Sequence, residues 1–482
     1  MGTWAEEIGE GIELGDKRLQ ARVVALLGVF AEKAGSSIPD ACESWAATCA
    51  AYRFFDNEDV EPEKIIVGAA RATLNRCRGE GVVLAVQDTT AVDYTSHDQT
   101  EGMGPLETSW RRGLFVHSTL AVSEKGVPLG LIAQEIWARD PQGIGKRHQR
   151  KQLPVEAKES AKWLVALKRT EERLMSVGVR VVTVADREAD VYELFALAEE
   201  VRGEWVIRAR HDRKLTDEAG KLLSAVESVS PSVRATVQVQ RADNRPARQA
   251  KLEMRRATVV LRPPERAREV MAKWWAAHLE VEHLLPEELH PIRVGVILVT
   301  ELEAPEGVEP LRWLLLTNLP VETEEQVLRC VGYYRQRWIV ERYHYVLKSG
   351  CQVEKLQLET AERLRRALAM YGIVAWRLLW LTHEARAQPE SPCTMVLDED
   401  AWRLLVAYRN PKGVLPTQPP DLHTIVREIA KLGGFLGRKH DGEPGVKTIW
   451  RGLRRLNDMV LGYRIIQAHP ELLSKQRPAT YV

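Results

Sequence analysis

The chain has 482 residues, too many for one hydrophobic core to organise, so two to four domains of roughly 100 to 200 residues each are expected. Its 45% hydrophobic and 28% charged residues read as globular, while 68 Lys+Arg against 67 Asp+Glu exclude a globally basic surface, so any contact with nucleic acid must be local. Six widely spaced cysteines without a CxxC pair argue against a disulfide scaffold or structural zinc and for a reducing cytoplasm; the acidic start MGTWAEEIGEG and the lack of any run of about 18 apolar residues point away from export and from a membrane span.

From Trp4 to about Arg78 the pattern is helical, with LQARVVALLGVFAEKAG spacing its apolar residues by three and four before a glycine stop. The character then changes. GVVLAVQDTT (81–90), LFVHSTLAVS (114–123) and VPLGLIAQEIW (127–137) are strand-like, and EKG between the last two predicts a hairpin. A helix follows in PVEAKESAKWLVALKRTEERLM, then a short buried strand VRVVTVAD (179–186), a helix ADVYELFALAEE and a strand EWVIRAR (204–210). Three meander strands followed by strands alternating with helices predict a mixed α/β sheet.

Residues 213–310 break that rhythm with a polar, strand-rich stretch that reads as an insertion, before RWLLLTNLP resumes an apolar strand. Helices follow, including ERLRRALAMYGIVAWRLLWL, then a Pro-marked break near QPESPC and a C-terminal helical region with the loop GGFLGRKHDGEPG.

Two acids follow apolar strands. Asp88 ends VVLAVQ and Asp186 ends VRVVTVA; each either caps a turn or helix, or offers a carboxylate at the sheet edge where α/β proteins hold ligands. Two such acids on adjacent strands could share a divalent cation. A third is supplied by GYYRQRWIVERYHYVLKSG (332–350), read as one helix. With an advance of about 100° per residue, Tyr334, Arg337, Glu341 and Lys348 fall in one stripe roughly 60° wide, while Ile339, Tyr343, Val346 and Leu347 face the opposite way. The charged stripe is either a solvated face with an ordinary i,i+4 pair or a surface for phosphates and bases, and Tyr334 and Trp338 beside the cations favour the latter.

Together these segments resemble the bacterial cut-and-paste DDE transposases of the insertion-sequence-four family. QDTT, DREAD and Tyr334-x2-Arg337-x3-Glu341-x6-Lys348, the family's YREK signature, stand in order, with the strand-rich insertion between the second and third. The likeness extends to LGDKRLQARV, AAYRFFDN, RGLFVHS, NRPARQAKLEMR, LRWLLLTNLPVE and IAKLGGFLGRK.

The resemblance implies an α/β catalytic core of ribonuclease-H-like (retroviral-integrase-like) fold with a β-rich insertion, flanked by α-helical N- and C-terminal domains. The expected boundaries are 1–65 for end binding, 66–388 for catalysis with the insertion at about 213–310, and 389–482 for dimerisation. It further implies Asp88, Asp186 and Glu341 as a catalytic triad holding two Mg²⁺ ions, with Mn²⁺ able to substitute. The activity would be nicking, hairpin formation and opening, and strand transfer into target DNA. Trp313 and Trp338 would receive a base displaced by the hairpin. Tyr334, Arg337 and Lys348 would hold the phosphate near the scissile bond, with Arg208 a further DNA contact. Lys17, Arg18 and Arg22 would read the transposon end. GKRHQRK (145–151) fits a phosphate-tracking loop or a plain surface loop, and the local excess of Lys and Arg in residues 434–456 suits DNA contacts. The implied partners are double-stranded DNA, as terminal inverted repeats and target, and a second copy of the chain, with no membrane. A DNA-binding regulator that kept the fold but not the cutting, and a metal-dependent nuclease on the same fold, are the alternatives.

Overall fold

A computed structural model describes residues 2–108, 110–141, 158–216, 220–239, 248–264 and 289–473. Two compact units emerge: Met1–Ala72 with Ser96–Gly102 and Arg342–Val482, and Thr73–Thr95 with Met103–Glu341. Among the described residues no helix is long and apolar enough to cross a membrane, and the cysteines are free thiols.

The first unit is helical. Asp16 caps Lys17–Glu32 by accepting from the backbone N–H of Arg18 at 2.7 Å, and Ser44 caps Trp45–Asp56 in the same way, each satisfying a donor that the first helical turn cannot. The 27-residue helix Ala361–Ala387 is buried nearly all round, from Leu364 through Trp380, because other helices of the unit cover it on several sides. Phe30 stacks on Tyr371 of that helix at 4.7 Å and faces Phe55 at 6.2 Å, so the N-terminal helices and the C-terminal half share one core. Leu422–Leu432 and Val446–Ala468 pack beside it.

The second unit is built on one sheet of ten strands among the described residues: β1 Val82–Asp93, β2 Gly104–Pro105, β3 Arg112–Ser123, β4 Pro128–Trp137, β5 Arg180–Ala185, β6 Glu204–Arg208, β7 Val233–Val239, β8 Arg248–Leu261, β9 Ile292–Leu302 and β10 Arg312–Thr317. Their order is β2-β3-β1-β5-β6-β10-β9-β8-β7, with β4 on β3. Strands β1, β5 and β6 run parallel, and the other pairings are antiparallel. The apolar runs of β1 and β5 reflect this position, since central parallel strands are covered on both faces.

The expected hairpin forms between β3 and β4, where Gly126 takes φ +84, a value that costs a residue without Cβ nothing. Helix Ala161–Met175 buries Trp163, Leu164, Leu167 and Leu174 along one stripe, and Tyr192–Glu200 links β5 to β6 with Phe195 stacked on Trp205 at 4.4 Å. The strand-rich segment expected at 213–310 does hold β7, β8 and β9. These strands are continuous with the central sheet: β9 pairs β10, β10 pairs β6, and the edge extends outward through β8 to β7. The fold is thus a mixed sheet flanked by helices, and the strand-rich stretch between β6 and β10 in sequence lengthens that sheet at its edge.

Candidate active site

β1 does not stop at Asp88. It runs on to Asp93, paired with β3 as far as Asp93↔Gly113, and Asp88 sits within it opposite Ser118. What stops there is the parallel partner: β5 stays in register only to Val86↔Val184, and Asp186 follows with its backbone still extended at φ -89, ψ -172. Asp88 and Asp186 each lie two residues beyond that last pair (86 to 88, 184 to 186). Side chains alternate along a strand and neighbouring strands run about 4.8 Å apart, so both carboxylates leave adjacent strands on the same face.

The third acid comes from a helix that is broken. A Thr323–Gln326 capping box starts Glu324–Arg335; residues 336 and 337 form a turn; the chain resumes as Trp338–Tyr345 and then widens into a π-turn at Val346–Gly350. The single helix expected over 332–350 is therefore corrected, because a constant advance of about 100° per residue does not survive the break or the wider π-turn. Nor does it turn a polar stripe to solvent: Tyr334 is 1% exposed and Arg337 5%. Ile339, Tyr343, Val346 and Leu347 are buried as expected.

Buried, Tyr334 and Arg337 both find a partner in Asp186. The Tyr334 hydroxyl donates to Asp186 Oδ1 at 3.2 Å, and burial, opposed by the charge of Arg337, pushes its pKa up to about 12, so it stays a donor at neutral pH. Arg337 Nη1 lies 2.6 Å from Glu341 Oε1 and 4.0 Å from Asp186 Oδ2. Burial works against its charge, yet Tyr334, Glu341 and Asp186 outweigh this and hold its pKa above the ordinary arginine value. Arg208, at the end of β6, brings Nη1 to 3.8 Å from Asp186 Oδ1 while its Nη2 donates to the Arg312 carbonyl at 3.1 Å. Asp186 and Glu341 thus share Arg337, and Asp186 is further held by a phenol and a second guanidinium.

Among the described residues, no three His, Cys, Asp or Glu side chains are grouped closely enough to hold a metal ion as placed. The expected convergence of three carboxylates is therefore not a closed ligand cage, and Arg337 is the link between two of them. The donors nonetheless fit a hard divalent cation, because all three are carboxylates. Asp88 and Asp186 share a face by strand register, and a positive group already lies between Asp186 and Glu341.

Beside these acids lies a cavity of about 350 Å³, lined by Arg187, Arg208, Trp313, Tyr334, Arg337 and Trp338 among others. Trp313, on β10, is 8% exposed and meets Tyr334 edge to face, with ring centroids 5.3 Å apart; Trp338 is 43% exposed. The guanidinium of Arg337 stands 5.7 Å from the Tyr334 ring and 5.8 Å from the Trp338 ring. The cavity lining therefore brings aromatic faces and cations together, next to two acids.

Lys348 belongs to the first unit, where it pairs with Glu354 at 3.0 Å in a groove of about 420 Å³ lined also by Tyr345, Lys355, Lys447, Trp450, Arg451 and Arg454. Lys17 and Arg18 are exposed at the start of their helix, with Arg18 paired to Asp16 at 3.1 Å, and Arg22 is half-buried one turn on. GKRHQRK (145–151) lies outside the described residues.

One residue escapes the sequence reading. Asp190, the last acid of DREAD, is 3% exposed and accepts from the backbone N–H groups of Arg210 and His211 at 2.7 and 2.8 Å and from Arg213 Nε and Nη2 at 2.9 and 2.5 Å. It clamps the chain leaving β6 to the turn leaving β5. The motif shows the acid, but nothing local distinguishes it from Glu188, which faces solvent.

Comparison with known families divides the chain in three. Residues 1–60 match the family model described as Transposase DNA-binding, 145–377 the Transposase DDE domain, and 373–472 the Transposase Tn5 dimerisation domain. Asp186, Arg208, Trp313, Tyr334, Arg337 and Glu341 fall within the second match, and Asp88 stands upstream of it.

Proposed function

We propose a specific chemistry for this chain, a DNA transposase that carries the DNA-binding, DDE and dimerisation domains of a Tn5-type enzyme: metal-dependent nicking at transposon terminal inverted repeats, hairpin formation and opening, and strand transfer into target DNA. The observation that carries it is the cluster of Asp186 and Glu341 around Arg337, with Asp88 in register, beside an aromatic and cationic cavity.

In this reading Asp88, Asp186 and Glu341 hold Mg²⁺ or Mn²⁺, two ions per site. The chemistry such ions supply when bound is activation of the attacking oxygen and stabilisation of the leaving oxygen in an in-line displacement. The protein's own groups position the rest. Tyr334 and Arg208 orient Asp186, which keeps its oxygens aimed from the sheet edge. Arg337 offers a planar fork to a backbone phosphate, and Lys348 a point charge. A hairpin forces a base out of the stack at a cost of a few kcal/mol, and Trp313 with Trp338 gives it rings to stack on. Lys17, Arg18 and Arg22 serve end recognition in the first 65 residues, and the dimerisation region, read as 389–482, holds two copies in the synaptic complex.

The direct test is a denaturing gel of end-labelled duplex bearing the terminal repeats that flank the gene, incubated with protein and Mg²⁺ or Mn²⁺. Nicked and hairpin products are expected. Binding without any cut strand would replace this reading with a DNA-binding regulator, and open breaks without hairpins with a nuclease.

Trp313→Ala is expected to lower hairpin formation more than nicking, by roughly five- to a hundredfold, since stacking one base on one ring is worth about 1–3 kcal/mol. The same gel reads both products. Equal loss of the two would assign Trp313 to the core of β10 alone.

A further inference from the structure

We infer that Arg337 is a positioning residue that competes with the divalent cation for Asp186 and Glu341, and that this exchange makes metal and DNA backbone bind the site cooperatively. The inference rests on the reading that these two acids hold the metal.

Three observations carry it. First, Nη1 of Arg337 sits 2.6 Å from Glu341 Oε1 and 4.0 Å from Asp186 Oδ2, the position between two carboxylates that a shared cation would take. A guanidinium cannot shed its proton, so it meets an incoming divalent ion as a fixed positive charge and must move away from it. Second, Nε of the same side chain is buried and has no hydrogen-bond partner among the described residues. A buried donor left unmade is costly, so an arginine that spends one edge on carboxylates and leaves another unused is suited to a further acceptor. Third, the side chain lines the cavity with Arg187 and Arg208, and the rings of Tyr334 and Trp338 stand 5.7 and 5.8 Å from its guanidinium. Those faces let the charge turn toward the cavity while it keeps an attractive surface beside it.

A phosphate in the cavity would therefore draw Arg337 off the acids and open them to the cation; a cation on the acids would release Arg337 for the phosphate. Linkage makes the two effects equal in size.

The test is Mn²⁺ binding followed by electron paramagnetic resonance on the full-length protein, with terminal-repeat duplex present or absent and with the metal held by duplex alone subtracted. Without DNA, Arg337→Gln is expected to bind Mn²⁺ about tenfold more tightly than the native protein, within the usual range of coupling between sites. Arg337→Lys, which keeps the charge without the fork, falls between. Duplex is expected to tighten Mn²⁺ binding to the native protein by a similar factor and to leave Arg337→Gln nearly unchanged. Equal or weaker Mn²⁺ binding by a folded Arg337→Gln would overturn the competition. Should that variant fail to fold, the native protein decides alone, since Mn²⁺ affinity indifferent to duplex overturns the cooperativity. Asp186→Asn separates the two readings: if it binds Mn²⁺ as well as the native protein does, the acids are not the metal site, and the inference falls with that assignment and not by its own arm.

Discussion

Glu341→Gln is expected to lower strand nicking by about three orders of magnitude or more, equivalent to about 4 kcal/mol of transition-state stabilisation, while binding of the terminal repeat changes little. The substitution keeps the shape of the side chain and an oxygen for Arg337 but removes the charge that a metal ligand must supply. Loss of fold would not explain such a result. The Glu341 side chain is 39% exposed, glutamine keeps an oxygen for the buried Arg337, and Asp186 still faces that guanidinium at 4.0 Å, so the stability cost is expected to stay below the roughly 3–5 kcal/mol of a fully broken buried pair. A denaturing gel reads cutting, a mobility shift reads binding, and thermal melting controls for folding. Nicking retained at the native rate would remove Glu341 from the metal ligands and leave it as the partner that holds Arg337.

The second large effect concerns stability. Asp190→Ala is expected to destabilise the protein by about 3–5 kcal/mol, the usual range when one member of a buried, hydrogen-bonded ion pair is removed. Its carboxylate satisfies the backbone N–H groups of Arg210 and His211 and pairs with Arg213, whose Nη2 also donates to the Asp190 carbonyl at 2.8 Å. Alanine leaves two backbone donors and a guanidinium without their acceptor. Glu188→Ala, two residues earlier, is the matched control. Its side chain is exposed and pairs with Lys162 only at 3.4 Å, so a change below about 1 kcal/mol is expected. Denaturant midpoints measure both. Similar midpoints for the two variants would mean that the clamp contributes no more than a surface pair. Because Asp190 ties the end of β6 to the turn after β5, its loss is also expected to loosen Arg208 and Asp186 and so to reduce nicking in whatever fraction stays folded.

Much of the site is legible in the sequence because its parts are announced locally. The apolar runs before Asp88 and Asp186 are strands whose burial on both faces leaves little choice of residue, and the parallel pairing of β1 with β5 sets the two acids at the same level. Glu341 and Arg337 are four apart, Arg337 in the turn that leads into the helix Trp338–Tyr345, and they meet as such a spacing allows. Where sequence reasoning fails, it extends a local rule past a point that only distant contacts reveal. No proline or glycine marks the break at residues 336 and 337, so a helical wheel runs on, although the chain there carries Tyr334 and Arg337 inward to Asp186, 148 residues before Tyr334. QDTT looks like a strand end at Asp88, whereas the strand continues along β3 and only its parallel neighbour ends. The strand-rich stretch at 213–310 falls in sequence between β6 and β10, which pair with each other across about a hundred residues; local patterns show the strands but not that β9 joins them to the same sheet.

The sequence by itself determined which residues could do chemistry, which segments are strands or helices, and that acids, cations and rings recur in one order along the chain. Those properties follow from side-chain type and from periods of two or 3.6 residues, which act over a few neighbours. Only the tertiary structure decided that Arg337 lies between two acids, that Tyr334 turns its hydroxyl to Asp186, that Lys348 pairs with Glu354 in a different unit, and that Asp190 is a clamp while Glu188 is surface. Each of these depends on strand register and on burial against residues far away in sequence, and charge, hydrogen bonding and exposure are properties of that assembled neighbourhood.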